Sequence, residues 1–338
     1  MHAAVLIKNG NAQTAFEIRN LPNPVCKPDE VRIQVQAFGL NFADVMARLG
    51  KYRDCPPLPA VIGYEVVGYV AETGSQVKNL QIGQRVVAFT RFGGYATQVT
   101  APAIAAVPIP DNWGLAEATA LATQYCTAYF AACIATNLHP SDHVLIHAAA
   151  GGVGIALTQL AKHKGCTIYG TAGSDAKLQL LRKQGVDFPI NYQTQDFTQI
   201  IKKQAPNGKI DAVFDSIGGS YVKKGIALLN AGGRMVCFGA ANMSGAGLLG
   251  TIIKAWQFGF YHPAAFMMRS AGLIGVNMLR IADHKPQLLQ LAMQEVVNGV
   301  QAGFLQPVSG GVFPVADLAK AHTLLQNRQT TGKIAVAW

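Results

Sequence analysis

Residues 143–162 read HVLIHAAAGGVGIALTQLAK, and this stretch decides the fold class. An apolar run at 144–146 leads through small residues into a segment, 155–161, whose apolar residues recur at helical spacing. The pattern predicts a strand, a glycine-rich turn and a helix. Three positions match the glycines of a dinucleotide-binding turn: Ala149, Gly151 and Gly154. A buried strand followed by a tightly packed structural turn has the same pattern, so the turn alone is weak evidence.

A turn of this kind binds a pyrophosphate because a backbone without Cβ atoms can come close to the phosphate groups. The negative charge of the pyrophosphate then lies at the helix N-terminus. We expect the following residues to contact the cofactor here: Ala150, Gly151, Gly152, Val153 and Gly154.

Strands and helices alternate regularly after the turn. The predicted strands are 166–171, 188–192, 211–215 and 234–238, and the predicted helices are 176–184, 195–204 and 221–229. Such alternation is typical of a parallel sheet with helices on both faces. The sequence therefore predicts an α/β fold with a doubly wound parallel sheet, which makes dinucleotide binding a much stronger hypothesis.

The end of the second predicted strand indicates which dinucleotide is bound. NAD-binding versions have an acidic residue here, but 171–174 read TAGS. None of these four residues carries a negative charge that would repel a 2′-phosphate. The hydroxyls of Ser174 and Tyr192 and the ammonium group of Lys177 can bind one. The predicted cofactor is therefore NADPH, and the predicted contacts are Gly173, Ser174, Lys177 and Tyr192. In the alternative interpretation Ser174 only caps the helix and Lys177 is solvated.

The composition excludes several classes of protein. The 338 residues are 50% hydrophobic and 14% charged, and the formal net charge is +10. Lysines and arginines are spread along the chain, so we expect no nucleic-acid partner. The six cysteines have no C-x-x-C spacing, and the first residues lack a secretory apolar segment, so we expect a cytoplasmic protein with reduced thiols.

The first 120 residues contain short alternating runs and frequent turns, which favour a β-rich, barrel-like domain. Motifs in the order NFAD (41–44), GYE (63–65), GQRV (83–86), AAAGGVG (148–154) and TGK (331–333) resemble the medium-chain dehydrogenase/reductase superfamily. The resemblance implies a Rossmann NADPH-binding domain at 122–268. It also implies a discontinuous GroES-like substrate domain formed by 1–121 and 269–338.

Within the superfamily the chain resembles the zinc-independent quinone oxidoreductases, and most closely the homologues of the synaptic vesicle membrane protein (the vesicle amine transport family). LNFADVMARLGKY (40–52) and RSAGLIGVNML (269–279) carry this closer resemblance. Zinc-dependent relatives have Cys at the position of Asn41 and His at that of Tyr64. We therefore expect no metal, and the resemblance implies hydride transfer from NADPH to a quinone or an α,β-unsaturated carbonyl (an enone).

The same resemblance assigns the remaining site residues. Asn41 and Tyr52 match substrate-cleft positions and are the expected catalytic hydrogen-bond donors, and Asn41 is also an expected cofactor contact. In the alternative interpretation Asn41 is a turn residue and Tyr52 a packed aromatic. Further cofactor contacts are implied at Thr127, Phe238, Gly239, Ala240 and Asn277.

Residues 245–270 are rich in aromatic residues and methionine. This segment is consistent with a lid, a dimer surface or a peripheral membrane contact, but we expect a buried helix that covers the cleft. The resemblance also implies a homodimer formed by edge-to-edge extension of the sheet. It keeps an alternative function open, that of an NADPH-binding protein with little turnover that acts through a membrane or a partner.

Overall fold

The computed structural model describes residues 1–244 and 248–338. The chain divides into two compact units. Unit 1 consists of Met1–Cys126 together with Met278–Trp338, and unit 2 consists of Thr127–Asn277.

The N-terminal part of the chain contains mostly strands. Its elements are β1 (His2–Leu6), α1 (Ala12–Ala15), β2 (Phe16–Asn20), β3 (Glu30–Leu40), α2 (Phe42–Arg48), β4 (Ala60–Val61), β5 (Glu65–Thr73), β6 (Arg85–Phe89), β7 (Gln98–Pro102), β8 (Ala106–Pro108), α3 (Leu115–Ala120) and α4 (Cys126–Tyr129). The turns of Leu121–Tyr125, between α3 and α4, are π-helical.

Strands and helices alternate in the middle of the chain. The elements are β9 (His143–Ile146), α5 (Gly152–His163), β10 (Thr167–Ala172), α6 (Asp175–Lys183), β11 (Phe188–Asn191), α7 (Phe197–Gln204), β12 (Ile210–Asp215), α8 (Ser220–Leu228), β13 (Leu229–Cys237), α9 (Leu248–Gln257), α10 (Pro263–Arg269) and β14 (Gly272–Gly275). The chain then returns to unit 1 with α11 (Met278–His284), α12 (Pro286–Gln301), β15 (Ser309–Pro314), α13 (Leu318–Gln326) and β16 (Lys333–Ala337).

The strands of unit 2 form a parallel sheet in the order β11-β10-β9-β12-β13-β14. This is the Rossmann order, in which the chain leaves the two central strands, β9 and β12, in opposite directions. Side chains such as Leu145, Ile190 and Val213 are fully or almost fully buried because helices cover both faces. The predicted doubly wound sheet is confirmed. Strand β14 belongs to it, although the expected domain boundary at residue 268 falls before this strand.

Unit 1 is built on a largely antiparallel sheet in the order β15-β16-β3-β5-β6-β8, with β7 also paired to β3 and a smaller sheet, β2-β1-β4, beside it. In β3 the alternating residues Val31, Ile33 and Val35 are buried in the core while Gln34 is exposed, as the period of two requires. The β-rich, GroES-like character predicted for this part of the chain is confirmed.

The expectation of a buried helix in the aromatic segment is wrong for much of its described part. Phe258, Tyr261 and Phe266 do pack on the core of unit 2. Trp256 and Phe260, however, are 68% and 81% exposed and contact each other edge to face, with ring centroids 5.2 Å apart. Met267 and Met268 are also exposed. Residues 245–247, which belong to the same prediction, lie outside the described residues. No helix within 1–244 and 248–338 is long and apolar enough to cross a bilayer.

Candidate functional site

The glycine turn lies at the carboxyl end of β9, next to the point where the order of the parallel sheet reverses. Gly151 precedes the first residue of α5, and its N–H donates to the carbonyl of Ala148 at 2.9 Å. Gly154 is packed so closely that a Cβ atom there would overlap the Ala148 carbonyl and the backbone of Ala149. Because Gly151, Gly152 and Val153 remain partly exposed, the N-terminus of this 12-residue helix presents backbone N–H groups where a phosphate can bind.

The four residues expected to recognise the 2′-phosphate lie together at the carboxyl ends of β10 and β11. Tyr192 packs over Gly173, where a Cβ atom would overlap its phenol. The Ser174 hydroxyl accepts from the backbone N–H of Lys177 at 3.4 Å, so the capping role considered as an alternative is present. A hydroxyl also donates, so capping leaves its O–H available for a phosphate oxygen.

Asp215 at the end of β12 is a residue that sequence reasoning missed. Its buried carboxylate accepts from the backbone N–H groups of Ile217 and Gly218, both at 2.9 Å. Burial raises its pKa to about 6, and the two N–H donors limit that rise. The available signal was the glycine pair 218–219, which begins three residues after the aspartate and in which both residues have positive φ.

The contacts implied by the resemblance in the rest of unit 2 lie on several segments. Phe238, Gly239 and Ala240 follow β13, and Gly239 lies against Ser216, whose carbonyl oxygen would be 2.8 Å from a Cβ at that position. Asn277 is exposed just after β14. Thr127 is buried within α4. These residues were implied by the resemblance, and their role as cofactor contacts stays a prediction.

Asn41 lies in unit 1 where three strands meet. The carboxyl end of β3 pairs with the starts of β5 and β16, and this register brings Glu65 and Lys333 to Asn41. The amide nitrogen of Asn41 donates to Glu65 Oε1 at 2.7 Å, and the Lys333 ammonium donates to Asn41 Oδ1 at 3.0 Å. Lys333 also forms an ion pair with Glu65. Sequence reasoning named neither charged residue as part of the site; the weak signal was a charge at the first position of two apolar strands.

Asn41 is also the residue before α2, as its alternative interpretation expected. Its backbone N–H donates to the carboxylate of Asp44 at 2.8 Å, which fixes the first turn of the helix. Asp44 is fully buried, and burial raises its pKa well above the usual range of an aspartate. The region around Asn41 is therefore a buried polar cluster rather than a solvated loop.

Tyr52 lies half-buried on the loop after α2. Its ring meets that of Tyr64 edge to face, with centroids 5.9 Å apart, and Phe92 packs on Tyr64 at 5.3 Å. Burial raises the pKa of Tyr52 to about 12, with a contribution from the negative charges of Asp54 and Asp44. The phenol is consequently protonated at neutral pH and can donate a hydrogen bond. Asp54 on the same loop pairs with Arg280 of α11.

The donor atoms at the positions of the zinc ligands do not suit a metal. Asn41 offers an amide oxygen already bound by an ammonium group, and Tyr64 offers a buried phenol whose pKa burial strongly raises. Catalytic zinc is held by Cys, His or carboxylate ligands. Among the residues described, no group of three or more such side chains could hold a metal ion.

Comparison with known proteins agrees with this architecture. The profile described as "Alcohol dehydrogenase GroES-like domain" matches residues 27–111, and that described as "Zinc-binding dehydrogenase" matches residues 152–294. The chain belongs to the medium-chain dehydrogenase/reductase superfamily of oxidoreductases, as its motifs predict. The Homo sapiens synaptic vesicle membrane protein VAT-1 homolog is 33% identical over 328 residues, which cover 96% of this chain and 83% of that protein.

Two solved structures are similar over nearly the whole chain. The quinone oxidoreductase of Escherichia coli, solved in complex with NADPH, is 26% identical with a TM-score of 0.87 and covers 100% of both chains. The CurK enoyl reductase is 25% identical with a TM-score of 0.86 and covers 99% of both chains.

Proposed function

We propose that this protein is an NADPH-dependent, zinc-independent oxidoreductase that reduces a quinone or an α,β-unsaturated carbonyl. The observation that carries the proposal is the pair of features at the strand ends of unit 2: an open glycine turn before α5, and a 2′-phosphate region at β10 and β11 without an acidic residue on its strand end. The similarity to an NADPH-bound quinone oxidoreductase and to an enoyl reductase supports both halves of the proposal.

The cofactor fits the residues present. Gly151, Gly152 and Val153 hold the pyrophosphate at the N-terminus of α5, where backbone N–H groups and the helix dipole stabilise its charge. Ser174, Lys177 and Tyr192 bind the 2′-phosphate with hydroxyl and ammonium donors. Thr127, Phe238, Gly239, Ala240 and Asn277 complete the contacts with the nicotinamide end. Bound NADPH supplies the hydride.

The acceptor is held by unit 1. Asn41 and Tyr52 donate hydrogen bonds to the oxygen that gains negative charge as the hydride arrives, which lowers the barrier by electrostatic stabilisation. Tyr64 and Phe92 supply apolar surface for a planar acceptor. No metal takes part, because the amide of Asn41 and the phenol of Tyr64 stand where zinc-dependent relatives have Cys and His ligands.

The test is the oxidation of NADPH and, separately, NADH by purified protein with a panel of quinones and enones, with cofactor dissociation constants measured in parallel. Faster turnover with NADPH confirms the proposal, and the best acceptor defines the substrate class. Activity that disappears on exhaustive chelation and returns with zinc would contradict the metal-free reaction. Tight NADPH binding without turnover across the panel would favour the second candidate.

The second candidate is a cytoplasmic NADPH-binding protein with little turnover that acts at a membrane or on a partner. The exposed rings of Trp256 and Phe260, which contact each other, favour it together with the exposed Met267 and Met268, because large apolar side chains grouped on a surface often mark an interaction site. Flotation with vesicles of anionic and of neutral lipid tests it. If the wild-type protein and a Trp256→Ser/Phe260→Ser variant float equally, this surface has no such role.

A homodimer also remains part of the proposal. Strand β14 is the last strand in the order of the unit 2 sheet, and its Leu273 is exposed, so the edge is available for pairing with a second copy. Sedimentation of the purified protein with and without Leu273→Lys tests this edge, and an unchanged dimer would place the interface elsewhere.

A further inference from the structure

The carboxamide of Asn41 has only one orientation that its buried neighbours allow. An ammonium group can only donate and a carboxylate without a proton can only accept, so Lys333 must face Oδ1 and Glu65 must face Nδ2. The observed contacts, 3.0 Å from Lys333 Nζ to Oδ1 and 2.7 Å from Nδ2 to Glu65 Oε1, are those two hydrogen bonds. A 180° flip of the amide would set donor against donor and acceptor against acceptor.

Asn41 is the member of this group that reaches the surface. Glu65 and Lys333 are both 0% exposed, whereas Asn41 is 7% exposed. Its nitrogen carries two hydrogens, and the bond to Glu65 uses one of them. The orientation set by the ion pair therefore determines whether Asn41 can present an N–H donor or would present an oxygen.

The surrounding packing is adapted to this ion pair. Gly39, the residue of β3 between the starts of β5 and β16, leaves the space in which the Lys333 side chain and the Glu65 carboxylate lie, because a Cβ there would overlap both. Polarisation within a buried hydrogen-bond network also strengthens each member, so a donation by Lys333 to Oδ1 makes the remaining N–H of Asn41 a better donor.

We infer that Glu65 and Lys333 are positioning residues that orient the Asn41 amide so that its free N–H faces the substrate oxygen. This inference deepens the proposed function and rests on it. Neither residue touches the reacting molecules, and both act through Asn41.

The kinetic test compares Glu65→Gln/Lys333→Met, which removes both charges together, with Asn41→Ala and with the triple variant. The double variant should lower kcat about tenfold because the amide is free to flip, with little change in the NADPH dissociation constant. Asn41→Ala should lower kcat about 100-fold, and the triple variant should be no slower than Asn41→Ala. An unchanged kcat in the double variant, or losses that add in the triple variant, would overturn the inference.

A second pair of variants tests the same inference if the double variant does not fold. Glu65→Gln keeps an acceptor oxygen for Asn41, and Glu65→Met has a similar size without one, while both remove the negative charge opposite Lys333. Turnover by the Gln variant should exceed that by the Met variant about tenfold at comparable melting temperatures. Equal rates would show that the carboxylate serves packing and charge alone.

A spectroscopic readout separates failure of this inference from failure of the proposed function. With ¹⁵N-labelled asparagine, the Asn41 side-chain N–H that bonds to Glu65 should be protected from solvent exchange in the wild type. Its protection should fall in Glu65→Gln/Lys333→Met, because the amide can flip there and the hydrogen bond no longer holds one N–H in place, and Asn41→Ala assigns the signal. A wild-type signal without protection overturns the positioning role even in an active protein. A protected signal in a protein without turnover supports the positioning role and refutes only the proposed reaction.

Discussion

Glu65 in unit 1 and Asp215 in unit 2 are both fully buried carboxylates at strand ends, yet they are stabilised differently. Glu65 begins β5 and pairs with the ammonium of Lys333, 268 positions away in sequence. Asp215 ends β12 and accepts from backbone N–H groups only two and three residues ahead. The first arrangement depends on the pairing of distant strands, and the second forms within one turn.

The two carboxylates are therefore expected to respond to different changes. A buried ion pair is sensitive to the loss of either charge, because the remaining one is left in a medium of low dielectric constant. A carboxylate held by local N–H dipoles keeps its partners whenever its loop is folded, but its raised pKa makes it sensitive to pH.

The largest effect is expected for Lys333→Met. It leaves the buried Glu65 carboxylate without its ammonium partner, so the free energy of unfolding should fall by about 3–5 kcal/mol. Arg19→Met is the matched control, because the Arg19–Glu17 pair is solvent-exposed and should be worth no more than about 1 kcal/mol. Denaturant unfolding measures both, and equal losses would remove the distinction between the two kinds of pair.

Asp215→Asn should change how stability depends on pH. The folded pKa of Asp215, about 6, lies above its unfolded value of 3.8, so the folded state binds the proton more tightly. The stability that this provides is present below pH 3.8 and is lost as the pH rises through about 6. The free energy of unfolding of Asp215→Asn relative to wild type should therefore increase by about 2 kcal/mol between about pH 4 and pH 7.

The loss of one acceptor atom in Asp215→Asn is the same at every pH, so the difference between the two pH values isolates the ionisation. A relative stability that does not vary with pH would show that Asp215 titrates normally.

Two glycines of the turn in unit 2 should separate folding from cofactor binding. Gly154→Ala forces a Cβ into the backbone of Ala148 and Ala149, and we expect a destabilisation of about 1–3 kcal/mol. Gly151→Ala meets only the Ala148 carbonyl oxygen at 3.3 Å, so its melting temperature should stay close to that of the wild type. Its NADPH affinity should instead fall about tenfold, because the Cβ hinders approach of the pyrophosphate. Fluorescence titration measures the NADPH affinity, and thermal unfolding measures the melting temperature. If the variant with the lower melting temperature also had the lower NADPH affinity, the two glycines would not have separate roles.

The smallest effect is expected for Lys177→Glu. It places a carboxylate where the 2′-phosphate is proposed to bind, so NADPH affinity should fall about tenfold more than NADH affinity. Lys183→Glu, in the last turn of the same helix α6, is the control for a general change of charge. Equal losses for NADPH and NADH in Lys177→Glu would refute the assignment of the phosphate-binding region.

Local patterns in the sequence predicted the fold of unit 2 well. The glycine turn, the strand ends and the helix caps of α5 and α6 depend on residues within a few positions of one another. The absence of an acidic residue from residues 171–174, at the end of β10, was likewise readable directly. Asp215 was equally local, through the glycine pair 218–219, and it was missed only because its N–H partners belong to the backbone.

The sequence by itself determined the alternation that produces the parallel sheet, the motifs of the superfamily and the candidate residues Asn41 and Tyr52. Only the tertiary structure decided what surrounds those two side chains. The register of β3 with β5 and β16 brings Glu65 and Lys333 to Asn41, and the raised pKa of Tyr52 comes from burial. The physical reason is the distance along the sequence between the residues that interact. Turns and helix caps form between residues close in sequence, whereas burial and charge pairing depend on strands that meet only in the folded chain.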